Sequence, residues 1–226
     1  LSYSIVCVIS GGERKEKDFL RELIRQKELR SLRVAFVSKE GQGLQPYQMQ
    51  AIWFAIRQSG EVALANQHYQ LDDMDKVFLL SDVDEFYDQL VKISNESDNQ
   101  EAAQWIVSNP CFEIWLYYCF KNDPETDLES LKAFDAAKRS QEMKHLGNML
   151  VPGGLNPLRA FEQMAEGIAH SREHYAEDEQ RIPLLYATQM HEMAQYLINT
   201  MNRTANEYNE FIQRKQAWRE KMKRKD

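Results

Sequence analysis

Four short aliphatic runs are spaced along the first 110 residues: YSIVCVI (3–9), LRVAFVS (32–38), DKVFLLS (75–81) and AAQWIVS (102–108). Each is rich in residues that favour a buried strand. Between them the period changes. KEKDFLRELIRQKEL places Phe19, Leu20, Leu23 and Ile24 at helical spacing, and Pro46 can open a helix through YQMQAIWFAIRQS after the break GQGLQP. EFYDQLVKIS forms a further helix after the third run. Strands interleaved with helices require crossover connections, which dictates an α/β fold with a parallel sheet flanked by helices. The stripe containing Trp53 and Phe54 is read as core.

Beyond Asn109 the strand signal almost vanishes. NPCFEIWLYYCF has an N-cap candidate in Asn109, proline at the next position and an apolar face at Phe112, Trp115, Leu116, Cys119 and Phe120. Amphipathic segments follow at about 128–150, 156–177 and 184–222, separated by NDPETD, VPGGLNP and EDEQRIP. The reading is an α/β core over 1–122 and a helical extension over 123–226 packed on it. No internal repeat stands out.

A net charge of −7 argues against a generally basic nucleic-acid binder, yet residues 214–226 carry seven basic side chains against two acidic. This basic tail either follows phosphates or forms a solvated helix end. No apolar run approaches the ~18 residues that a membrane span needs, and LSYSIVCVIS lacks a basic start, so it reads as a strand and not a leader. Cys7, Cys111 and Cys119 are an odd number without metal-ligand spacing. Reduced core thiols in a cytoplasmic protein are the expectation.

The third run ends in VFLLSDVDEF, which delivers Asp82 and Asp84 one residue apart. Ligands of open parallel sheets sit beyond the carboxyl ends of the strands, where SGGERKE also lies after the first run. If those two strands are neighbours, Glu13, Glu16, Asp82 and Asp84 converge, and only a cation relieves their repulsion. Oxygen-only ligation suits Mg2+ or Mn2+, which can hold a phosphodiester and activate water. The competing reading is helix capping, since Ser10-x-x-Glu13 and Ser81-x-x-Asp84 match capping boxes. His170 and His174 stand four apart without the HExxH pattern, and neither GGE nor GQG is a phosphate-binding fingerprint. No serine or cysteine has the context of a catalytic triad.

GGERKEKDFL, GQGLQPYQMQAI, VFLLSDVDEF and VSNPCFEIWLYYCF, in this order, resemble the RloB-like proteins, whose core is a Toprim domain; RIPLLYATQMHEMAQYL resembles the family's closing segment. The resemblance runs from about residue 4 to 200, and SNPCFEIW is its specific part. It implies a Toprim-like, Rossmann-like fold and a Mg2+- or Mn2+-dependent nuclease acting on DNA or RNA. It also implies a link to restriction or anti-phage defence and an AAA-type ATPase partner. By position, Asp82 and Asp84 match the metal-binding DxD. Glu13 and Glu16 match the second and third acids of an E-G-E-x-T-E pattern, with Lys15 where threonine is usual, and Glu113 is the acid of NPCFE. The expected catalytic set is therefore Glu13, Glu16, Asp82, Asp84 and Glu113, with Glu13, Glu16, Asp82 and Asp84 on the metal.

The first glutamate of that pattern falls on Gly11. Two functions follow. In one, Glu13 replaces the missing acid and the chain is a nuclease; Gly11→Glu should then partly rescue Glu13→Gln. In the other, a degenerate Toprim module binds an ATPase partner or nucleic acid without cutting it.

Overall fold

The computed structural model describes residues 3–25, 31–64, 67–72, 75–83, 85–96, 103–203 and 206–223. Its centre is a four-stranded sheet of β1 (Ser4–Ser10), β2 (Leu32–Val37), β5 (Lys76–Asp82) and β6 (Ala103–Ser108), in the order β2-β1-β5-β6. All three pairings are parallel. The runs read as strands one and three are therefore neighbours: Ser10 pairs with Leu80, and Asp82 pairs with Ser108. Among the described residues, β3 (Glu61–Leu64) and β4 (Gln67–Gln70) form a separate antiparallel hairpin. Sequence reading missed it because neither strand has a long aliphatic run.

Successive side chains of β1 leave opposite faces of the sheet. Ile5, Cys7 and Ile9 join Trp53 of α3 (Pro46–Ser59) in one buried cluster. Phe54, read as core, is 42% exposed, because the helix presents only the Met49 and Trp53 side to the sheet. Val6 and Val8 face the other way, with Phe19 and Leu20 from α1 (Arg14–Phe19) and its end, and Leu23 from α2 (Arg21–Arg25). The helical second half packs on this second face. Phe19 meets Phe112, Trp115 and Phe161 edge to face at centroid distances of 5.7–6.0 Å.

Several helices differ from the sequence expectation. After α4 (Tyr87–Asn95), α5 spans Glu113–Tyr118 and does not start at Asn109. Asn109, which precedes Pro110 through a cis peptide bond, is engaged elsewhere. Its backbone N–H donates to Ala187 O at 2.9 Å and its side-chain amide to Pro183 O at 2.8 Å. Next come the short α6 (Pro124–Asp127), a 3-10 helix at Glu129–Ala133 and α7 (Ala136–Leu150). The segment read as 156–177 splits into α8 (Pro157–Phe161) and α9 (Met164–Glu173). In the segment read as 184–222, an irregular strap leads into α10 (Met190–Asn202) and α11 (Glu207–Lys223). The strap bridges Thr188 to Ser108 at the end of β6.

α11 is anchored along its length. Glu207 accepts from Ser31 N and Oγ, Lys215 pairs with Glu22 at 3.5 Å, and Arg219 pairs with Glu162. Residues 224–226 of the tail lie outside the described residues. Among the described residues, no helix is long and apolar enough to cross a membrane.

A candidate carboxylate site at the strand ends

β1, β5 and β6 end side by side, so whatever follows each strand is brought to one edge. Asp82 is the last residue of β5. Its Oδ1 accepts the backbone N–H of Phe112 at 2.8 Å, which holds the start of α5 against the strand end. Glu16 arrives from α1 and is 8% exposed. Glu16 and Asp82 line one small cavity of about 10 Å³, completed by Leu80, Ser81, Ile106, Ser108, Phe112 and Met190. That volume is about one water probe.

Glu113, in the first turn of α5, is 5% exposed and pairs with Lys15 Nζ at 3.4 Å. Burial pushes the Glu16 carboxyl up to about 7, and the Glu113 charge pushes the same way against Lys144 and Lys15. Cys111 is held well above the ordinary thiol range, first by burial and then by the charges of Glu113 and Asp82. Glu113 is thus the electrostatic neighbour of Glu16, Glu113 and Asp82 both act on Cys111, and a thiolate nucleophile is disfavoured there. Lys144, from α7, had no local sequence signal, because its place depends on how α7 packs against α5. Lys15 was visible only as a departure from threonine.

The remaining expected acids stand differently. Glu13 Oε2 accepts from Gly41 N at 3.1 Å, and its side chain lines a separate depression with Arg14 and Lys17. It does not line the cavity shared by Glu16 and Asp82. Asp84 lies outside the described residues. Among the described residues, no group of three or more His, Cys, Asp or Glu has the arrangement of a metal centre. The donor chemistry of Glu16 and Asp82 still suits a hard cation, since Mg2+ takes one or two carboxylates and fills its shell with water. Ser10 Oγ, at the end of β1, is buried without a hydrogen-bond partner among the described residues.

The capping alternative is not what the chain does at α1. The N-cap is Glu13, with no side-chain capping bond, and Ser10 bonds nothing there. Ser81 Oγ donates to Asp82 O at 3.0 Å, and α4 starts only at Tyr87. His170 and His174 are tied to backbone carbonyls of Tyr118 and Asn122 at 2.7 and 3.0 Å, joining α9 to the end of α5.

Gly11 and Gly12 shape the loop. Gly11 N donates to Leu80 O at 2.8 Å, and Gly11 O accepts from Leu44 N at 3.0 Å. A Cβ on Gly11 would stand 3.1 Å from Leu44 O and 3.3 Å from Leu80 O, so position 11 is enclosed by main chain. A Cβ on Gly12 would overlap the Glu16 carboxylate.

A larger cavity of about 780 Å³ lies by the opposite ends of β5 and β6. Lys76, Ala103, Trp105 and Trp53 line it, and none of the expected acids does. The carboxylates at the strand ends, not cavity size, single out this candidate site.

The sequence profile of the family described as RloB-like protein matches residues 5–220. Comparison with curated proteins and with solved structures returns no match.

Proposed function

We propose that this chain, which belongs to the RloB-like family, is a Mg2+- or Mn2+-dependent nuclease of Toprim type that hydrolyses phosphodiesters in DNA or RNA. The observation that carries the reading is the meeting of Glu16 and Asp82 in one cavity at the ends of adjacent parallel strands, with Glu113 as charged neighbour. A carboxylate as buried as Glu16, with the half-buried Asp82 lining the same cavity, is costly to ionise unless a cation matches it.

Glu16 and Asp82 would hold the metal, together with Asp84, two residues further along the sequence. The metal would supply positive charge to the phosphodiester and acidify a water. Lys15 pairs with Glu113 and holds it beside Glu16. Hydrolysis adds water across one P–O bond and leaves a phosphate monoester and a hydroxyl. Glu13, bonded to the Gly41 loop, takes the part of the missing first acid on release of that bond. The setting, restriction or anti-phage defence in the cytoplasm with an AAA-type ATPase as partner, rests on the family resemblance and on three buried unpaired cysteines.

A second reading has its own support. Position 11 is closed by backbone, Glu13 is turned to Gly41, and three acids do not cluster among the described residues. These favour a Toprim module that binds nucleic acid or an ATPase without cutting. Incubation with plasmid, single-stranded DNA and tRNA, with Mg2+ or Mn2+ and with EDTA, separates the two. Metal-dependent cleavage that Asp82→Asn removes supports the nuclease. An uncut panel with the ATPase present supports the binding module.

A further inference from the structure

We infer that the outward face of α1 and α2 is a track that holds the nucleic-acid backbone; this rests on the nucleic-acid reading above. The two short helices run on almost without a break, since Leu20 N donates to Glu16 O at 3.1 Å and Ile24 N to Leu20 O at 2.9 Å. Arg14, Lys17, Arg21 and Arg25 recur at three- and four-residue steps, so they share one face. Glu16, Phe19, Leu20 and Leu23 occupy the opposite, buried face. One helical stretch therefore carries a site acid inward and four cations outward, in fixed register.

Those four cations line an open depression of about 400 Å³ together with Ile24, Glu13 and Asp18. Asp18 is paired with Arg21, and the Glu13 carboxylate is drawn to Gly41 N. Arg14, Lys17 and Arg25 make no ion pair among the described residues, although the whole chain is acidic at −7. On α11, Lys215 and Arg219 are paired with Glu22 and Glu162, while Arg214, Lys221 and Lys223 also make no ion pair among the described residues but line no depression with the α1–α2 cations. From Arg14 to Arg25 the helix rises by about 16 Å. At about 3.4 Å per nucleotide of a duplex strand, that covers roughly four or five phosphates. Such contacts release counterions and make binding depend steeply on salt.

The test is the triple variant Arg14→Gln, Lys17→Gln, Arg25→Gln, with binding to labelled single-stranded DNA, duplex DNA and tRNA measured in EDTA across a salt series. The slope of log affinity against log salt should fall by about 2–3, at ~0.7–0.9 per lost phosphate contact. Affinity at low salt should fall at least roughly tenfold. The parallel variant Arg214→Gln, Lys221→Gln, Lys223→Gln should leave the slope within about 1 of the wild type. All six side chains are exposed or half-buried, so thermal melts should match the wild type; Lys17→Glu alone gives the same readout if the triple variant fails to fold. Wild-type binding with a slope unchanged in the α1–α2 variant overturns this inference and leaves the nucleic-acid reading standing. No binding of any probe by the wild type overturns both.

Discussion

Gly12 and Glu16 occupy adjoining space: a single Cβ on the glycine would run into the buried carboxylate. The close approach explains the glycine, whose φ is not in the left-handed region. Gly12→Ala should displace the Glu16 carboxylate from its cavity. The expected result is a fall in metal-dependent cleavage of roughly 10²-fold, since a misplacement of ~1 Å can cost that much. The thermal midpoint should fall by much less than a core truncation would cause. Cleavage assays alongside thermal melts check both, and an unchanged rate would remove Glu16 from the machinery.

Glu16 should make stability depend on pH in a particular direction. Its folded carboxyl titrates near 7 against an ordinary 4.5, chiefly because it is buried. Between those values the folded chain holds a proton that the unfolded chain has lost. Stability from this group therefore falls as pH rises from 4.5 to 7, by at most about 3 kcal/mol. Glu16→Gln should flatten that slope and melt higher than the wild type above pH 7. Melts of both proteins across the window, read as a difference, check it. Added Mn2+ should raise the wild-type midpoint at pH 7 and leave the variant unmoved.

Asp82 has two duties that substitution can separate. Its Oδ1 accepts from Phe112 N, and an asparagine retains an oxygen for that bond but no charge. Asp82→Asn should cost about 1 kcal/mol of stability, the charge-assisted part of the hydrogen bond, and lose Mn2+ binding in calorimetric titration. Asp82→Ala should cost roughly 1–3 kcal/mol beyond that, by stranding the Phe112 N–H. Normal cleavage by the Asn variant would leave Asp82 with only the work of holding α5.

The acid missing at residue 11 is a matter of space. Gly11 does not have positive φ, so its backbone accepts a side chain, but two carbonyl oxygens stand where a Cβ needs room. Gly11→Glu should destabilise by about 1–3 kcal/mol, as overpacking does. It should not restore activity to Glu13→Gln, contrary to what the family pattern alone implies. Chemical denaturation and cleavage of the single and double variants decide this. Rescue would mean that the loop at Leu44 opens readily.

The parallel sheet, the delivery of Asp82 to a strand end and a buried helix following Asn109 were legible in the sequence. They depend on local periods: aliphatic runs of strand length at 3–9, 32–38, 75–81 and 102–108, and an apolar face at helical spacing after residue 109. Adjacency of β1 and β5 was an inference from that alternation, and the register of Ser10 with Leu80 bears it out. What the tertiary structure decided comes from contacts between distant segments, which no local period encodes. Asn109 is engaged by Pro183 and Ala187, so α5 starts at Glu113. Leu44 closes on Gly11, and Gly41 draws Glu13 from the other acids. Glu22 and Glu162 occupy two cations of the tail, while Arg14, Lys17 and Arg25 make no ion pair among the described residues and line one depression. Residue type and spacing set which groups could act; long-range packing and hydrogen bonding selected which of them meet.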